Sequence, residues 1–365
     1  MMRSEGEPHV IDHATASLLR YRLDAPVGGS GVSSVDLVIV DLVDADGATG
    51  LGFTYVLGSA GSAPVLAAAR EQLERHVLGQ SIVPPPALWS RVAAGFNRTG
   101  FGPNMLALAA IDVAAWDLHA RRRGLPLGTA MGGVSRVVPV YGSGGFSATQ
   151  APAEAAAAAE RHTARGYSAV KPRVRGARSD APLLEAVCAV VPTHVQVMAD
   201  ANEKCDLPGA RRLLDCARGL GLVFVEEPLP AAALEGYRAL ARAGGAAVAA
   251  GEHLQGRGAF LPFITEHLAA VVQPDLAMAG GLTPILEVAV LCEAFDVALS
   301  PHFLPGLFVH VAAASPAVTW LEDFPLIEPL FDGWPELSPA GTLEPRAAPG
   351  HGLVLEPTAR RRFAV

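Results

Sequence analysis

Three short apolar runs, each ending in acidic residues, recur at an even spacing in the middle of the chain: VQVMAD (195–200), LVFVEE (222–227) and AAVAAGE (246–252). Their carboxylates Asp200, Glu226 and Glu252 lie 26 residues apart at each step. Because that interval holds one strand, one helix and two short connections, the spacing predicts one β/α unit per carboxylate.

Similar apolar runs continue the pattern on both sides: VVPVYG (137–142), AVKPRV (169–174), AVVQPD (270–275), VALSPH (297–302) and VTWLE (318–322). The segments between the runs are rich in Ala and Leu and have the length of helices, as in 152–165, 208–220 and 282–295. Eight such units close naturally into a parallel α/β barrel. An open doubly wound sheet is the alternative, but no Gly-rich phosphate-binding turn follows any of the runs.

The chain before this repeat has a different pattern. The stretch VDLVIVDLVDADGATGLGF (35–53) contains two β-rich runs around Asp-Ala-Asp-Gly, which is typical of a hairpin. Helical patterns follow over 63–78 and 104–123, and a sheet followed by helices predicts a separate α+β domain. The expected division is an α+β domain over 1–133, the barrel over 134–325 and a Pro- and Gly-rich segment over 326–365 that returns to the first domain.

Composition and charge exclude several classes of protein. The 365 residues carry a net charge of -8 and 50% of them are hydrophobic, so the chain can bury a large core but offers no basic surface for nucleic acid. The first residues lack the apolar core of a signal peptide, and no apolar run of about 18 residues follows. We expect a cytoplasmic protein that binds a small molecule rather than nucleic acid or a membrane.

Ionisable residues close seven of the predicted strands: Lys171, Asp200, Glu226, Glu252, Asp275, His302 and Glu322. In a barrel these strand ends converge on one mouth, where barrel enzymes have their active sites. A single carboxylate after a strand is more often the N-cap of the next helix. Seven ionisable residues at the same position of successive units indicate a functional site instead, because capping alone would use Ser, Thr and Asn at many of them.

Three adjacent carboxylates repel one another unless a cation lies among them. Asp200, Glu226 and Glu252 offer only oxygen ligands, which suits Mg²⁺ better than Zn²⁺. Asn202 is close enough in sequence to reinforce this ligand shell. Glu227 is expected to point away from the shell by strand alternation.

Asp275 and His302 close the next two strands and are expected to be neighbours. A carboxylate beside an imidazole fixes the tautomer of the ring and raises its basicity, so the pair predicts a general base. A buried histidine satisfied by its nearest acid is the alternative. Lys171 and Arg173 lie on the same inward face of their strand, but only lysine can exchange protons, since arginine remains charged.

These residues predict removal of the α-proton of a carboxylate substrate by His302. A divalent ion acting as a Lewis acid stabilises the resulting enediolate, with Lys171 and protonated Glu322 as further stabilisers. Loss of a β-hydroxyl as water then gives an enol, which becomes a 2-keto acid. Return of a proton on the opposite face would invert the centre instead, but Arg173 is a poor proton carrier for that step.

Taken together, the sequence resembles the mandelate racemase subgroup of the enolase superfamily. The resemblance rests on LALAAIDVAAWDLHARRRGLPL (106–127), AVKPR, VMADANEKCD, FVEEPL, AGEH, QPDLAMAGG, SPHF and TWLED. It implies an α+β capping domain over a modified (β/α)7β barrel, Mg²⁺ as the cofactor and a homo-oligomer.

The resemblance also implies a role for each strand-end residue. The implied metal ligands are Asp200, Glu226 and Glu252, and the implied catalytic dyad is His302 with Asp275. Glu322 corresponds to the acid that binds the substrate carboxylate, and Lys171 to the first lysine of the Lys-x-Lys motif. Arg173 replaces the second lysine, which is the other base of racemases, so dehydration of an aldonate or aldarate to a 2-keto-3-deoxy acid is favoured.

Substrate selection in the family comes from two loops of the capping domain, here DAPVGGSGVSS (24–34) and FTYVLGSAGS (53–62). Tyr55, Arg98 and Asn202 are candidate substrate contacts, although packing explains Tyr55 and surface charge explains Arg98 equally well. A racemase or epimerase remains an alternative to the dehydratase, as does a non-catalytic barrel that keeps its metal site.

Overall fold

In the computed structural model, which describes residues 10–27 and 31–365, the chain begins with a three-stranded antiparallel sheet. Its strands are β1 (Ile11–Val27), β2 (Val32–Asp44) and β3 (Thr49–Leu57), in that order across the sheet. β2 and β3 form the predicted hairpin, and β1 is a strand that the sequence pattern did not indicate. Residues 28–30 of the first predicted loop lie outside the described residues, as do the side chains of 25–27.

Five helices follow the sheet: α1 (Ser62–His76), α2 (Pro85–Ala93), α3 (Phe96–Thr99), α4 (Pro103–Arg122) and α5 (Leu127–Ala130). The long helix α4 packs directly on β3. Gly50 and Gly52 permit this close contact, because a Cβ atom at Gly52 would lie 2.0 Å from the carbonyl oxygen of Ala110. Sheet and helices therefore form one α+β layer pair, as predicted.

The barrel strands are β4 (Val138–Gly142), β5 (Ala169–Val170), β6 (Gln196–Val197), β7 (Ala199–Asp200), β8 (Val225–Glu226), β9 (Val248–Ala250), β10 (Val271–Val272), β11 (Ala298–Leu299) and β12 (Leu321–Asp323). β6 and β7 are two halves of one strand, so eight strands line the barrel. Parallel pairing runs in sequence order, and β12 pairs with β4 to close the ring.

Helices connect successive barrel strands: α6 (Pro152–Ala164), α7 (Asp180–Val190), α8 (Leu207–Leu220), α9 (Leu234–Ala243), α10 (Gly256–Thr265), α11 (Leu276–Ala279), α12 (Leu282–Ala294) and α13 (Pro305–Ala314). The short α11 and the longer α12 share one connection, so seven strands are followed by helices and the eighth is not. The predicted (β/α)7β barrel with an N-terminal α+β domain is confirmed. Its interior is packed by buried side chains from successive strands, among them Tyr141, Met198 and Phe224.

The last residues contact both parts of the molecule. They form a 3-10 helix (Glu328–Leu330), β13 (Phe331–Asp332), β14 (Thr342–Leu343), β15 (Val354–Leu355) and α14 (Ala359–Phe363). β14 pairs with barrel strand β4, whereas α14 packs on β1. The boundaries at 133/134 and 325/326 stay a prediction.

Hydrogen bonds join the first domain to the connection after β10. The Asp112 carboxylate of α4 accepts from the Thr283 backbone N–H at 2.8 Å and from the Thr283 hydroxyl at 2.6 Å. Trp116 donates to the same hydroxyl at 3.0 Å, and Trp89 donates to the Gly280 carbonyl at 2.7 Å. Burial raises the pKa of Asp112 to about 7. α4 is therefore fixed to the loop that begins at the sixth barrel strand.

None of the helices within residues 10–27 and 31–365 has both the length and the apolar character needed to cross a membrane.

Candidate active site

Three buried carboxylates meet at the carboxyl ends of neighbouring barrel strands. Asp200 ends β7, Glu226 ends β8, and Glu252 follows β9. All three side chains are shielded from solvent. Burial, together with Asp200 and Glu252, outweighs Lys171 and raises the pKa of Glu226 well above its usual value. The three carboxylates are therefore not fully neutralised by the cationic side chain of Lys171.

The surroundings of Glu226 fit a bound cation. Its Oε2 accepts from Lys171 and, at 2.8 Å, from Gln273, whereas its buried Oε1 has no hydrogen-bond partner in the described part of the chain. An unpartnered buried carboxylate oxygen is costly, and a divalent ion with oxygen ligands removes that cost. Asp200, Glu226 and Glu252 could therefore hold Mg²⁺, which prefers such ligands.

Asn202 donates hydrogen bonds to two of these carboxylates. Its backbone N–H donates to Asp200 at 2.8 Å, and its side-chain amide donates to Glu252 Oε1 at 3.2 Å. Asn202 has a backbone φ of 42°, a left-handed conformation that asparagine adopts more readily than most residues. The turn after β7 thus holds the side chain beside the carboxylates.

His302 and Asp275 form the expected pair at the ends of β11 and β10. The His302 Nδ1 lies 3.0 Å from Asp275 Oδ2, and its Nε2 lies 2.9 Å from Glu252 Oε2. Asp275 Oδ1 accepts from the Met278 backbone N–H at 2.9 Å, which fixes the carboxylate. Although burial alone lowers the pKa of His302, Glu252 and Asp275 together raise it well above its usual value.

Tyr55 of β3 also donates to Asp275 Oδ2, the oxygen that contacts His302. Its side chain is buried, and burial beside Asp275 raises the pKa of Tyr55 well above its usual value. The tyrosine lines the site, as predicted for a substrate contact, but its hydroxyl is directed to the dyad. A residue of the first domain therefore helps to hold Asp275, which in turn orients His302 in the barrel.

Lys171 lies beneath the carboxylates. Its Nζ contacts Glu226 and lies 2.8 Å from Glu322. Burial alone lowers the pKa of Lys171, but these two carboxylates outweigh it and raise the pKa well above its usual value. Burial alone raises the pKa of Glu322, but Lys171 and His302 outweigh it and lower the pKa. The protonated Glu322 expected from the sequence stays a prediction; in this arrangement the carboxylate is paired with the buried ammonium of Lys171.

Arg173 follows β5 and His302 follows β11, three strands apart around the ring of eight. Its guanidinium lies 3.4 Å from Asp200 Oδ2 and faces the cavity above the carboxylates. An arginine keeps its charge at all physiological pH values. Arg173 therefore gives the cavity a fixed positive charge.

A cavity of about 340 Å³ lies between the barrel mouth and the first domain, which is a usual size for a small-molecule site. Its lining falls into two surfaces. The polar floor consists of Arg173, Asn202, Glu252, His253, Asp275 and His302. The apolar wall consists of Val32, Val56, Leu57, Leu106, Ala277, Met278, Phe303, Phe324 and Leu326, and the remaining lining residue is Tyr55.

Arg98 does not reach this cavity. It lies on the short helix α3, is exposed and is not among the cavity residues. The prediction of a substrate contact at Arg98 is therefore corrected: the side chain is a charge exposed at the surface and does not line the cavity. By contrast, the second predicted loop contributes Tyr55, Val56 and Leu57 to the cavity.

His253 is a floor residue that the sequence reasoning missed. Its Nδ1 lies 2.8 Å from Glu227 Oε2 and 3.8 Å from Glu203 Oε1. The hydrogen bond to Glu227 raises the pKa of His253 to about 9, and burial raises that of Glu227 to about 7. The signal was the sequence Gly-Glu-His, since an ionisable residue directly after a strand-end carboxylate also lies at the barrel mouth.

Known proteins match the chain along most of its length. The "Enolase C-terminal domain-like" family model matches residues 153–359, and the "Mandelate racemase / muconate lactonizing enzyme, N-terminal domain" model matches residues 22–132. A 3,6-anhydro-alpha-L-galactonate cycloisomerase of Streptomyces coelicolor is 30% identical over 98% of this chain and 100% of its own length.

Two dehydratases are similarly related. The L-talarate/galactarate dehydratase of Salmonella typhimurium is 31% identical over 96% of this chain and 90% of its own length. The crystal structure of L-talarate dehydratase from Polaromonas sp. JS666, complexed with Mg and L-glucarate, has a TM-score of 0.91 at 30% identity and covers 98% of both chains. The chain therefore belongs to the enolase superfamily, within its mandelate racemase subgroup, as its sequence motifs predicted.

Proposed function

We propose that this chain is a magnesium-dependent dehydratase that converts an acid sugar, an aldonate or aldarate, to a 2-keto-3-deoxy acid. One observation carries the proposal. His302, held by Asp275, lies beside the carboxylates in a position to accept a proton, whereas Arg173, which also lines the cavity, carries a fixed charge and cannot serve as a second proton carrier. The names of the Salmonella and Polaromonas relatives support the same reaction class.

The residues that would hold Mg²⁺ are Asp200, Glu226 and Glu252. When bound, the ion supplies positive charge that stabilises the negative charge developing on the substrate carboxylate. Lys171 adds a second positive charge beneath the same position, and Arg173 a third beside it. Glu322 holds Lys171 in place through its 2.8 Å ion pair.

His302 takes the proton from C2 of the substrate, and the electron pair of that C–H bond forms the enediolate. Asp275 accepts from Nδ1, so Nε2 is the nitrogen that receives the proton. The C3–O bond then breaks, and the hydroxyl leaves with one proton as water. The enol that remains tautomerises to the 2-keto-3-deoxy acid, so the net change is loss of one H₂O.

Racemisation or epimerisation is less well supported by the same geometry. Inversion at C2 needs a second proton carrier on the side opposite His302, and Arg173 does not release its proton. Lys171 is held by two carboxylates and is not among the cavity residues.

The test is a screen of the purified protein with Mg²⁺ against mono- and diacid sugars, with semicarbazide to detect 2-keto acids. Formation of a 2-keto acid from one group of related substrates is the expected result. Incorporation of solvent deuterium at C2 with loss of configuration, and no keto acid, would favour an epimerase. No exchange and no product, despite Mg²⁺ binding, would favour a non-catalytic barrel.

We further propose a homo-oligomer, as the family resemblance implies, that is located in the cytoplasm, as the sequence predicts. Light scattering coupled to gel filtration measures the first property, and cell fractionation measures the second. A mass of about 38 kDa, close to the 37.8 kDa of one chain, would contradict the homo-oligomer.

A further inference from the structure

The two surfaces of the cavity differ in what they offer a sugar acid. The floor has hydrogen-bonding and charged groups within reach of the three carboxylates. The wall residues Leu57, Leu106 and Met278 have no group that can pair with a hydroxyl or a carboxylate. A substrate that spans the cavity therefore meets a polar surface at one end and an apolar surface at the other.

The proposed chemistry fixes which end of the substrate faces which surface. The reacting carboxylate must lie at the floor, because Asp200, Glu226 and Glu252 are there. C2 must lie within reach of His302. The carbons beyond C3 therefore extend toward the part of the cavity lined by the first domain, at Leu57 and Leu106.

A second carboxylate at the far end would need a cation that the wall does not supply. Among the described residues, the basic side chains that line the cavity are Arg173, His253 and His302, and all three are on the floor. Each is already paired with a carboxylate: Arg173 with Asp200, His253 with Glu227, and His302 with Asp275.

A polar group that loses water without gaining a partner weakens recognition by about 10- to 100-fold. A methyl group in the same position gains from contact with the leucine and methionine side chains. We propose, resting on the dehydratase function above, that the substrate is a monocarboxylate with an uncharged, apolar far end. Among acid sugars, a 6-deoxyhexonate has both features, because it has one carboxylate and ends in a methyl group.

The test compares three acids that share one configuration from C2 to C5 and differ only at C6: a 6-deoxyhexonate, the hexonate and the hexarate. We expect kcat/KM to fall in that order, with the hexarate at least about 100-fold below the 6-deoxyhexonate. A hexarate that matches or exceeds the 6-deoxyhexonate would overturn the inference and leave the dehydratase function intact. No turnover in any configuration would overturn both.

A pair of matched substitutions tests the position of the far end. Leu57 is 39% exposed and lines the wall, whereas Leu261 on α10 is 42% exposed and does not line the cavity. Both sites are open enough to accept arginine without disturbing the core. Leu57→Arg should raise the hexarate to 6-deoxyhexonate ratio of kcat/KM by about 10-fold or more, and Leu261→Arg should leave it unchanged. An unchanged ratio in Leu57→Arg would overturn the inference.

Discussion

The polar floor and the apolar wall face the same cavity but are built in different ways. Floor residues such as Asp200 and His302 are at or next to strand ends, where the hydrogen bonds of the barrel fix each backbone position. The wall residues Leu57, Leu106 and Met278 come from β3, α4 and α11, which share no ladder of hydrogen bonds. The backbone of the barrel therefore fixes the positions of the floor residues, whereas we expect substrate choice to depend on individual side chains of the wall.

Metal removal should have the largest effect on turnover, because the ion would be bound by the carboxylates Asp200, Glu226 and Glu252 at which the reaction takes place. Dialysis against EDTA should lower kcat by at least about 10³-fold, since the charge that stabilises the enediolate is lost. Added Mg²⁺ should restore turnover and raise Tm, because it binds only the folded chain. Circular dichroism controls for unfolding. Full activity at near-zero metal content, measured by atomic absorption, would contradict a metal-dependent floor.

His302→Asn should be the next largest effect. The variant removes the proton acceptor but keeps Asp200, Glu226 and Glu252, so kcat should fall by about 10²- to 10⁴-fold while Mg²⁺ binding persists. Single-turnover kinetics measure the first quantity and calorimetric titration the second. Turnover close to that of the wild type would remove His302 from the proposed role.

Tyr55→Phe tests whether the two surfaces are independent. Tyr55 comes from the same strand as wall residues Val56 and Leu57, but its hydroxyl donates to Asp275. Loss of that hydrogen bond frees the carboxylate that orients His302, so kcat should fall by roughly 10-fold with little change in KM. A change in KM alone would mean that Tyr55 acts only as part of the wall.

Asp112→Asn should have the smallest effect, on stability rather than turnover. The folded pKa of Asp112, about 7, lies above the usual value of 3.8, so the folded state holds a proton that the unfolded state releases. The contribution of Asp112 to stability is therefore present at low pH and falls as pH rises from about 4 to 7. Between pH 6 and 8 the free energy of unfolding of the wild type should therefore fall by about 1 kcal/mol relative to that of Asp112→Asn.

Scanning calorimetry of both proteins across this pH range measures the difference in Tm. Glu266 serves as a control acid, because it is a surface residue paired with Arg238. Glu266→Gln should leave the pH dependence of Tm between pH 6 and 8 unchanged. Parallel curves for the wild type and Asp112→Asn would show that Asp112 ionises normally in the folded protein.

The barrel could be predicted from sequence because each strand carries its own signal. The eight apolar runs correspond to the eight strands, and the candidate carboxylates are at or beside strand ends because the repeat brings them there. β1 was missed for the opposite reason. Its Arg20 looks unsuited to a strand, but it pairs with Asp36 of β2 at 2.8 Å, a partner that a local pattern does not show.

The wall could not be predicted in the same way. Leu57, Leu106 and Met278 are far apart in sequence, and an apolar side chain gives no sign of whether it faces a core or a cavity. Arg98 was a candidate as a charged residue of the first domain, but only its position on α3 in the folded chain decides that it faces solvent. His253 was overlooked because its partners Glu227 and Glu203 belong to different β/α units.

The hydrogen bond from Tyr55 to Asp275 also limits how this protein can be recombined. A chimera that joins this barrel to the capping domain of a relative exchanges the substrate-selecting side chains and the donor to the dyad in one step. Unless the new domain has a tyrosine at the same position, catalytic rate and selectivity change together. Point substitutions at Leu57 or Leu106 leave that donor in place. We therefore expect them to change substrate preference without lowering the catalytic rate.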